Sequence, residues 1–168
     1  MAKEKGKRNI LGFLENFKKD YEKLQKKYSL PVFKQLNEDF EIERIADHES
    51  DMLLREIRKA ITEKAVAFLR FVELLLNPTN APFFMFAIIK NLTPADKKHI
   101  EGLYQNLCEF EIKAIALDME YAEKNEAEFI KYAAKKWSSM HADMRELGNL
   151  IETAWHASSE KKERNYFG

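Results

Sequence analysis

The chain has 168 residues, enough for one compact domain whose hydrophobic core needs no disulfides. Apolar residues make up 45% and charged residues 33%, with only 5 Gly and 4 Pro, a composition typical of helices. The formal net charge of zero argues against a polyanionic partner, and the single cysteine excludes a disulfide framework and a cysteine-based zinc site within the chain. No apolar signal-peptide core follows the charged start, MAKEKGKRN, so we expect a cytoplasmic protein.

Helical spacing of apolar residues predicts a series of helices and no strand. The predicted segments are, in chain order, 9–28, 32–45, a helix from Asp47 or Ser50 to Leu76, 81–90, 94–124 and 125–156. Proline separates several of them, because the residue before a proline is disfavoured in the helical region. Thr93 is a predicted N-cap, followed by Pro94 at the first helical position and Asp96 three residues after the cap.

The segment Ala65–Leu76 is the most apolar helical stretch, and only Arg70 and Glu73 are charged within it. Such a helix is typical of a protein core. A membrane span needs about 20 consecutive apolar residues. The two charges and the break at Asn77–Pro82 therefore predict a central buried helix and no membrane span.

These helices predict an all-α fold, an antiparallel up-and-down helical bundle. Three helices are long, and shorter ones lie at the N-terminus and in the middle of the chain. We expect one domain over residues 1–168, with flexible ends at 1–8 and 158–168.

Enzyme motifs are missing from the sequence. It has no phosphate-binding loop, no Gly-x-Ser-x-Gly and no His-Glu-x-x-His. The Glu-x-x-His pairs of ferritin-like di-iron bundles are also missing, because the residues three before the histidines are Ile45, Asp96, Ser138 and Thr153. Cys108 lies among apolar residues and is interpreted as a small buried hydrophobe. An enzyme is thus disfavoured, and no cofactor is predicted.

Four residues keep a metal site open as an alternative. Glu111 and Asp118, seven residues apart, lie on the apolar side of the 94–124 helix, and His141 and Asp143 lean inward on the last helix. Buried carboxylates are costly unless they are paired or bind metal. They either converge on a divalent cation, as in a divergent metal-carboxylate bundle, or pair with Lys, Arg or Tyr at a water-exposed edge. The second interpretation is favoured.

A nucleic-acid-associated factor is a further alternative. The basic N-terminal arm and the lysine-rich helix that follows it have the charge to contact phosphates. The basic residues of the arm are Lys3, Lys5, Lys7 and Arg8. However, the aromatic residues of that helix lie on its predicted buried side, so no base-stacking surface is visible. Nucleic-acid binding is therefore disfavoured.

Large apolar side chains provide the main functional signal. Phe83, Phe84, Met85 and Phe86 are consecutive on one short helix, so they point in all directions and some must lie outside a monomer core. Trp137 and Trp155 share one face of the last helix and belong either to the core or to a partner-binding surface. Exposed apolar patches usually mark interfaces. The leading hypothesis is a non-enzymatic interaction or assembly module, a homodimer or the binder of a helical protein partner.

Overall fold

A computed structural model of the chain describes residues 2–47 and 50–164, with side chains described for 12–47, 50–79 and 81–157. These residues form six α-helices and two short 3-10 helices, and they include no strand. The α-helices are α1 (Ala2–Tyr28), α2 (Phe33–Phe40), α3 (Leu53–Leu76), α4 (Phe83–Ile89), α5 (Pro94–Met119) and α6 (Glu123–Arg164), and the 3-10 helices are Ile42–Ile45 and Pro78–Asn80. The all-α prediction is confirmed, and the packing is consistent with a bundle; the antiparallel arrangement stays a prediction.

The chain groups into two compact units. The first comprises the chain up to Lys64 together with Phe110–Ser138, and the second comprises Ala65–Glu109 together with the chain after Ser138. Helices α3, α5 and α6 each contribute to both units. The single domain and its flexible ends stay predictions. Residues 1 and 165–168 lie outside the described part of the chain.

In the first unit, the turn after α1 returns α2 to the side of α1. Ser29 has a left-handed backbone (φ 55), and the Tyr21 hydroxyl donates a hydrogen bond of 2.6 Å to the Pro31 carbonyl oxygen. The ring of Phe33 then packs edge-on against Phe17 and Tyr21, with centroid distances of 5.8 and 5.6 Å. The break predicted at Ser29-Leu30-Pro31 is therefore confirmed.

The second unit is built on the apolar stretch of α3. Its fully buried residues recur at helical spacing and are Ala65, Leu69, Val72 and Leu75. Arg70 and Glu73 form an exposed ion pair of 3.1 Å. Among the described residues, no helix combines the length and the apolarity needed to cross a membrane. The predicted charged stripe is present, and the central position of this helix in the fold stays a prediction.

The starts of α5 and α6 differ in how well they were predicted. Thr93 and Asp96 form a reciprocal cap, in which the Thr93 backbone N–H donates to Asp96 Oδ2 at 2.7 Å and the Asp96 N–H to Thr93 Oγ1 at 3.2 Å. This cap confirms the predicted start of α5. The predicted start of the last helix at Asn125 is wrong, because α6 begins at Glu123. Carboxylates in the first turn of a helix, here Glu123 and Glu126, interact favourably with its dipole.

Candidate functional site

The four metal-site candidates do not fall in one unit. Glu111 and Asp118 belong to the first unit, and His141 and Asp143 belong to the second. The Asp118 carboxylate accepts a hydrogen bond of 2.5 Å from Arg58 Nη2. In the ranges that the structure describes, no three His, Cys, Asp or Glu residues are placed to hold a metal ion. The structure thus places Asp118 in an ion pair, one of the two interpretations left open by the sequence.

A buried guanidinium is the most unusual polar feature of the first unit. Arg58, on α3, has a side chain only 1% exposed, and Glu126, on α6, has one that is 0% exposed. Arg58 Nε donates to Glu126 Oε2 at 2.7 Å, while Nη2 of the same group binds Asp118 on α5. We call Arg58, Asp118 and Glu126 the Arg58 cluster. Since a guanidinium presents its donors in a rigid planar fork, the cluster fixes three helices relative to one another within the unit.

The surroundings of the Arg58 cluster show a structural site. Arg55 Nη2 lies 3.8 Å from Asp118 Oδ1, and the Arg55 guanidinium lies 5.8 Å from the centroid of the Tyr121 ring. Arg55 Nε and Glu126 Oε1 are buried and have no hydrogen-bond partner among the described residues. Because guanidinium groups contact both carboxylates, this arrangement holds the three helices together.

Burial decides the direction in which the Glu126 pKa moves. Removal from water raises the pKa of this carboxyl, and the charge and hydrogen bond of Arg58 oppose the rise without cancelling it. A folded-state pKa above the unfolded value means that the folded state binds more protons. The contribution of Glu126 to stability is therefore fully present below the ordinary glutamate pKa, and it is lost as the pH rises through the folded-state value.

This sign leads to a measurable pH dependence. We expect the difference in free energy of unfolding between the wild type and Glu126→Gln to decrease as the pH is raised from about 4.3, the ordinary glutamate value, to about 7. Urea denaturation at several pH values measures it. The glutamine side chain has a similar shape but does not titrate. Subtracting the free energy of unfolding of the variant from that of the wild type therefore removes the pH dependence that the other carboxyl groups contribute to both proteins. A difference that instead increases with pH would show that Arg58 outweighs burial.

Arg58 and Glu126 are not among the candidate residues predicted from the sequence, although their spacing carries a signal. Arg58 lies four residues after Leu54 and three before Ile61, on the face of α3 that is fully buried. Glu126 likewise precedes Phe129 and Ile130 at helical spacing on α6. Oppositely charged residues on two buried faces are typical of an internal ion pair.

Exposed aromatic residues on α4 form the clearest candidate surface. Phe83, Phe84 and Phe86 are 86%, 51% and 44% exposed, whereas Met85 and Ile88 of the same helix are buried. Trp155, on α6, packs edge-on against Phe84 with ring centroids 6.4 Å apart. We call Phe83, Phe84, Phe86 and Trp155 the α4 aromatic surface. All four members belong to the second unit.

The two tryptophans of α6 lie in different surroundings. Trp137 is 3% exposed, and its ring lies 5.0 Å from that of Phe40 and 6.1 Å from that of Phe110. Trp155 is 43% exposed. The interface hypothesis for Trp137 is therefore corrected: this side chain fills the core of the first unit. Trp155 remains a surface candidate.

The lysine-rich face of α1 is partly used within the first unit. Lys23 forms an ion pair of 2.7 Å with Asp20, and Lys27 forms one of 2.8 Å with Glu123 of α6. The basic side chains of the N-terminal arm, Lys3, Lys5, Lys7 and Arg8, lie outside the residues whose side chains are described. The hypothesis of phosphate binding by this arm stays a prediction.

Comparison with protein-family models, curated proteins and solved structures finds no match to this chain. Its function is therefore inferred from the chemistry of its own surfaces. Of these, the α4 aromatic surface exposes the largest side chains, three phenylalanines and one tryptophan.

Proposed function

We propose that this chain is a non-enzymatic interaction module that forms a homodimer through the α4 aromatic surface. The supporting observation is the exposure of three phenylalanines and one tryptophan at one place in the second unit. Aromatic side chains dominate interface energetics, because each buries a large apolar area with few rotatable bonds to order. Contiguous exposed apolar patches mark interaction sites on soluble proteins.

The absence of charge in α4 favours a second copy of the chain as the partner. Its sequence, FFMFAII, contains no charged residue. In a two-fold symmetric dimer each patch meets its own copy. Like charges in a charged patch would then repel each other across the interface and weaken association, whereas an uncharged patch avoids this repulsion. The buried Met85 and Ile88 hold α4 on its unit from below, which leaves the aromatic side chains available to the partner.

A cytoplasmic location is part of the same proposal. Cys108 is the single cysteine of the sequence, and a leftover cysteine is unusual in a disulfide-stabilised secreted protein. The mixed surface charge and the formal net charge of zero suit a protein partner better than a polyanion.

Self-association is tested with the double variant Phe83→Ser, Phe86→Ser. We expect light scattering to give the wild type twice the chain mass of 19.8 kDa, and the variant a single chain mass. Loss of two central aromatic anchors is expected to weaken dimerisation by at least about 100-fold, since each hot-spot residue contributes about 2 kcal/mol or more. The urea midpoint of the monomer should fall only modestly, because Phe83 is largely exposed and Phe86 is half-exposed.

The matched control for the aromatic variant is Ile112→Ser. Ile112 is also strongly exposed and apolar, but it belongs to the first unit. This variant should dimerise like the wild type. A monomeric wild type at concentrations of about 100 μM, or a dimer that the double variant leaves intact, would contradict the proposal.

A further inference from the structure

The C-terminal half of α5 exposes a second apolar surface, this time in the first unit. Ile112, Ile115 and Met119 are 67%, 53% and 84% exposed. Residues spaced by three and four lie on the same side of a helix. The three side chains therefore form one stripe, which we call the α5 stripe.

The α5 stripe is not needed to hold α5 in place. Phe110 and Ala114 are buried on the other side of the helix, where Phe110 contacts the rings of Phe129 and Trp137. Apolar side chains at positions i, i+3 and i+7 are the pattern by which a helix meets a second helix. The stripe thus presents a helix-binding pattern on the side of α5 that faces away from its own core.

A cleft runs beside the α5 stripe, between α5 and the start of α6. Its volume is about 530 Å³, and its apolar lining includes Leu117, Phe129 and Tyr132. Ala116, which also lines the cleft, follows Ile115 of the stripe on α5, so the residue between stripe and cleft has a small side chain. A bulky side chain of a partner lying along the stripe can therefore enter the cleft, which is how interface hot spots are anchored.

Carboxylates border both the α5 stripe and the cleft. Glu111 and Asp118 lie beside the stripe on one side, and Glu120 and Glu128 line the cleft on the other. Asp118 and Glu128 already accept hydrogen bonds from Arg58 and Lys131, but a carboxylate has about four acceptor sites and can accept more. Lys113, also in the cleft lining, lies 4.8 Å from the centroid of the Tyr132 ring.

We propose that the α5 stripe and its cleft bind a cationic amphipathic helix of a partner protein. The charge pattern decides between this occupant and a second copy of the chain. Four carboxylates, those of Glu111, Asp118, Glu120 and Glu128, border the stripe and the cleft, whereas the cleft lining includes one lysine, Lys113. Two copies of this surface would bring like charges together, whereas Lys and Arg beside an apolar face would complement the carboxylates. The stripe and the cleft share no residue with the α4 aromatic surface.

The probe for this site is a fluorescent synthetic peptide of Leu and Lys, about 14 residues or roughly four helical turns long, with all Leu on one face. Its matched counterpart carries Glu in place of every Lys. We expect fluorescence anisotropy to show saturable binding of the Lys peptide to the full chain, weakened by added salt, and no binding of the Glu peptide. The double variant Ile115→Ser, Met119→Ser should bind the Lys peptide at least about tenfold more weakly.

Two further variants keep the result specific. The double variant Phe83→Ser, Phe86→Ser should bind the Lys peptide as the wild type does. Peptide binding therefore tests the α5 stripe independently of whether the chain dimerises through the α4 aromatic surface. Glu120→Lys, Glu128→Lys should lose the preference for the Lys peptide, and it replaces only side chains at the cleft surface. Lack of saturable binding, unchanged binding by the Ile115→Ser, Met119→Ser variant, or equal binding of both peptides would overturn the proposal. Conversion of a dimer to a monomer by that variant would show that a second copy covers the stripe.

Discussion

Replacing Arg58 with Met is expected to lower the free energy of unfolding by about 3–5 kcal/mol at neutral pH. Met preserves much of the volume of the arginine stem but removes the guanidinium. Glu126, which is fully buried, then loses the cation that neutralises it, and Asp118 loses its short hydrogen bond. Urea denaturation followed by far-UV circular dichroism measures the loss, provided that the dependence on urea concentration is unchanged.

The matched control for the Arg58 variant is Arg44→Met. Arg44 also forms a close ion pair, 2.6 Å from Glu63, but both side chains are largely exposed to water. Exposed pairs contribute about 0–1 kcal/mol, so this variant should change stability little. An Arg58→Met variant that costs no more than Arg44→Met would show that the buried cluster contributes no special stability.

The pH dependence of the Arg58→Met variant provides a second check. Without Arg58, burial loses its strongest opposition and only the charge of Arg55 still lowers the pKa of the Glu126 carboxyl, so this pKa rises further. Protonation then relieves the buried charge, so the stability loss should be smaller near pH 4 to 5, roughly the range of ordinary glutamate, than at neutral pH. The double variant Arg58→Met, Glu126→Met should recover most of the loss, since apolar replacement of a buried pair is often neutral.

The second large effect is expected at Trp137. Trp137→Ala should lower the free energy of unfolding by about 3–5 kcal/mol, because it leaves a cavity between Phe40 and Phe110. Trp155→Ala should cost no more than about 1.5 kcal/mol, since a half-exposed side chain with an edge-on contact to Phe84 leaves no closed cavity. Urea denaturation of both variants compares the two positions directly.

Trp137 is expected to matter more than Trp155 for stability, but Trp155 is expected to matter more than Trp137 for self-association. Light scattering is expected to show weaker dimerisation for Trp155→Ala, because it removes part of the α4 aromatic surface. At urea concentrations where Trp137→Ala stays folded, that variant should dimerise like the wild type. Equal stability losses at the two positions would contradict the assignment of Trp137 to the core and Trp155 to the surface.

Local sequence patterns predicted the elements of this fold well. The structure contains the break at Ser29-Leu30-Pro31 and the cap formed by Thr93 and Asp96. The stretch Ala65–Leu76 is helical and buries one side, at Ala65, Leu69, Val72 and Leu75. Each depends on residues close together in the chain: a proline restricts its neighbour, a hydroxyl caps the next turn, and apolar spacing defines a helix face. The prediction at Asn125 failed because the adjacent carboxylates of Glu123 and Glu126 also suit a helix start.

Long-range contacts decided the candidate sites. Trp137 and Trp155 are a whole number of turns apart on α6, so periodicity assigns them to one face. Phe40 and Phe110 cover the first, whereas the second is only flanked by Phe84. Asp118 was expected on the apolar side of the 94–124 helix. In the structure Asp118 pairs with Arg58, and Ile115 on the same side of α5 lies in the exposed α5 stripe.

The sequence by itself therefore determined which segments are helical and where the main breaks between them lie. Some helix ends differ by more than a turn: α1 begins at Ala2 where residue 9 was expected, and α6 ends at Arg164 where residue 156 was expected. The tertiary structure decided which apolar side chains are covered by another helix, as Trp137 is, and which carboxylates form ion pairs, as Asp118 does with Arg58. The physical reason is that helical periodicity is a property of one segment, whereas burial depends on a second segment that is distant in the chain. Arg58 and Glu126 form a hydrogen bond although they are 68 positions apart in the chain, and a pattern within one helix cannot predict a contact at that separation.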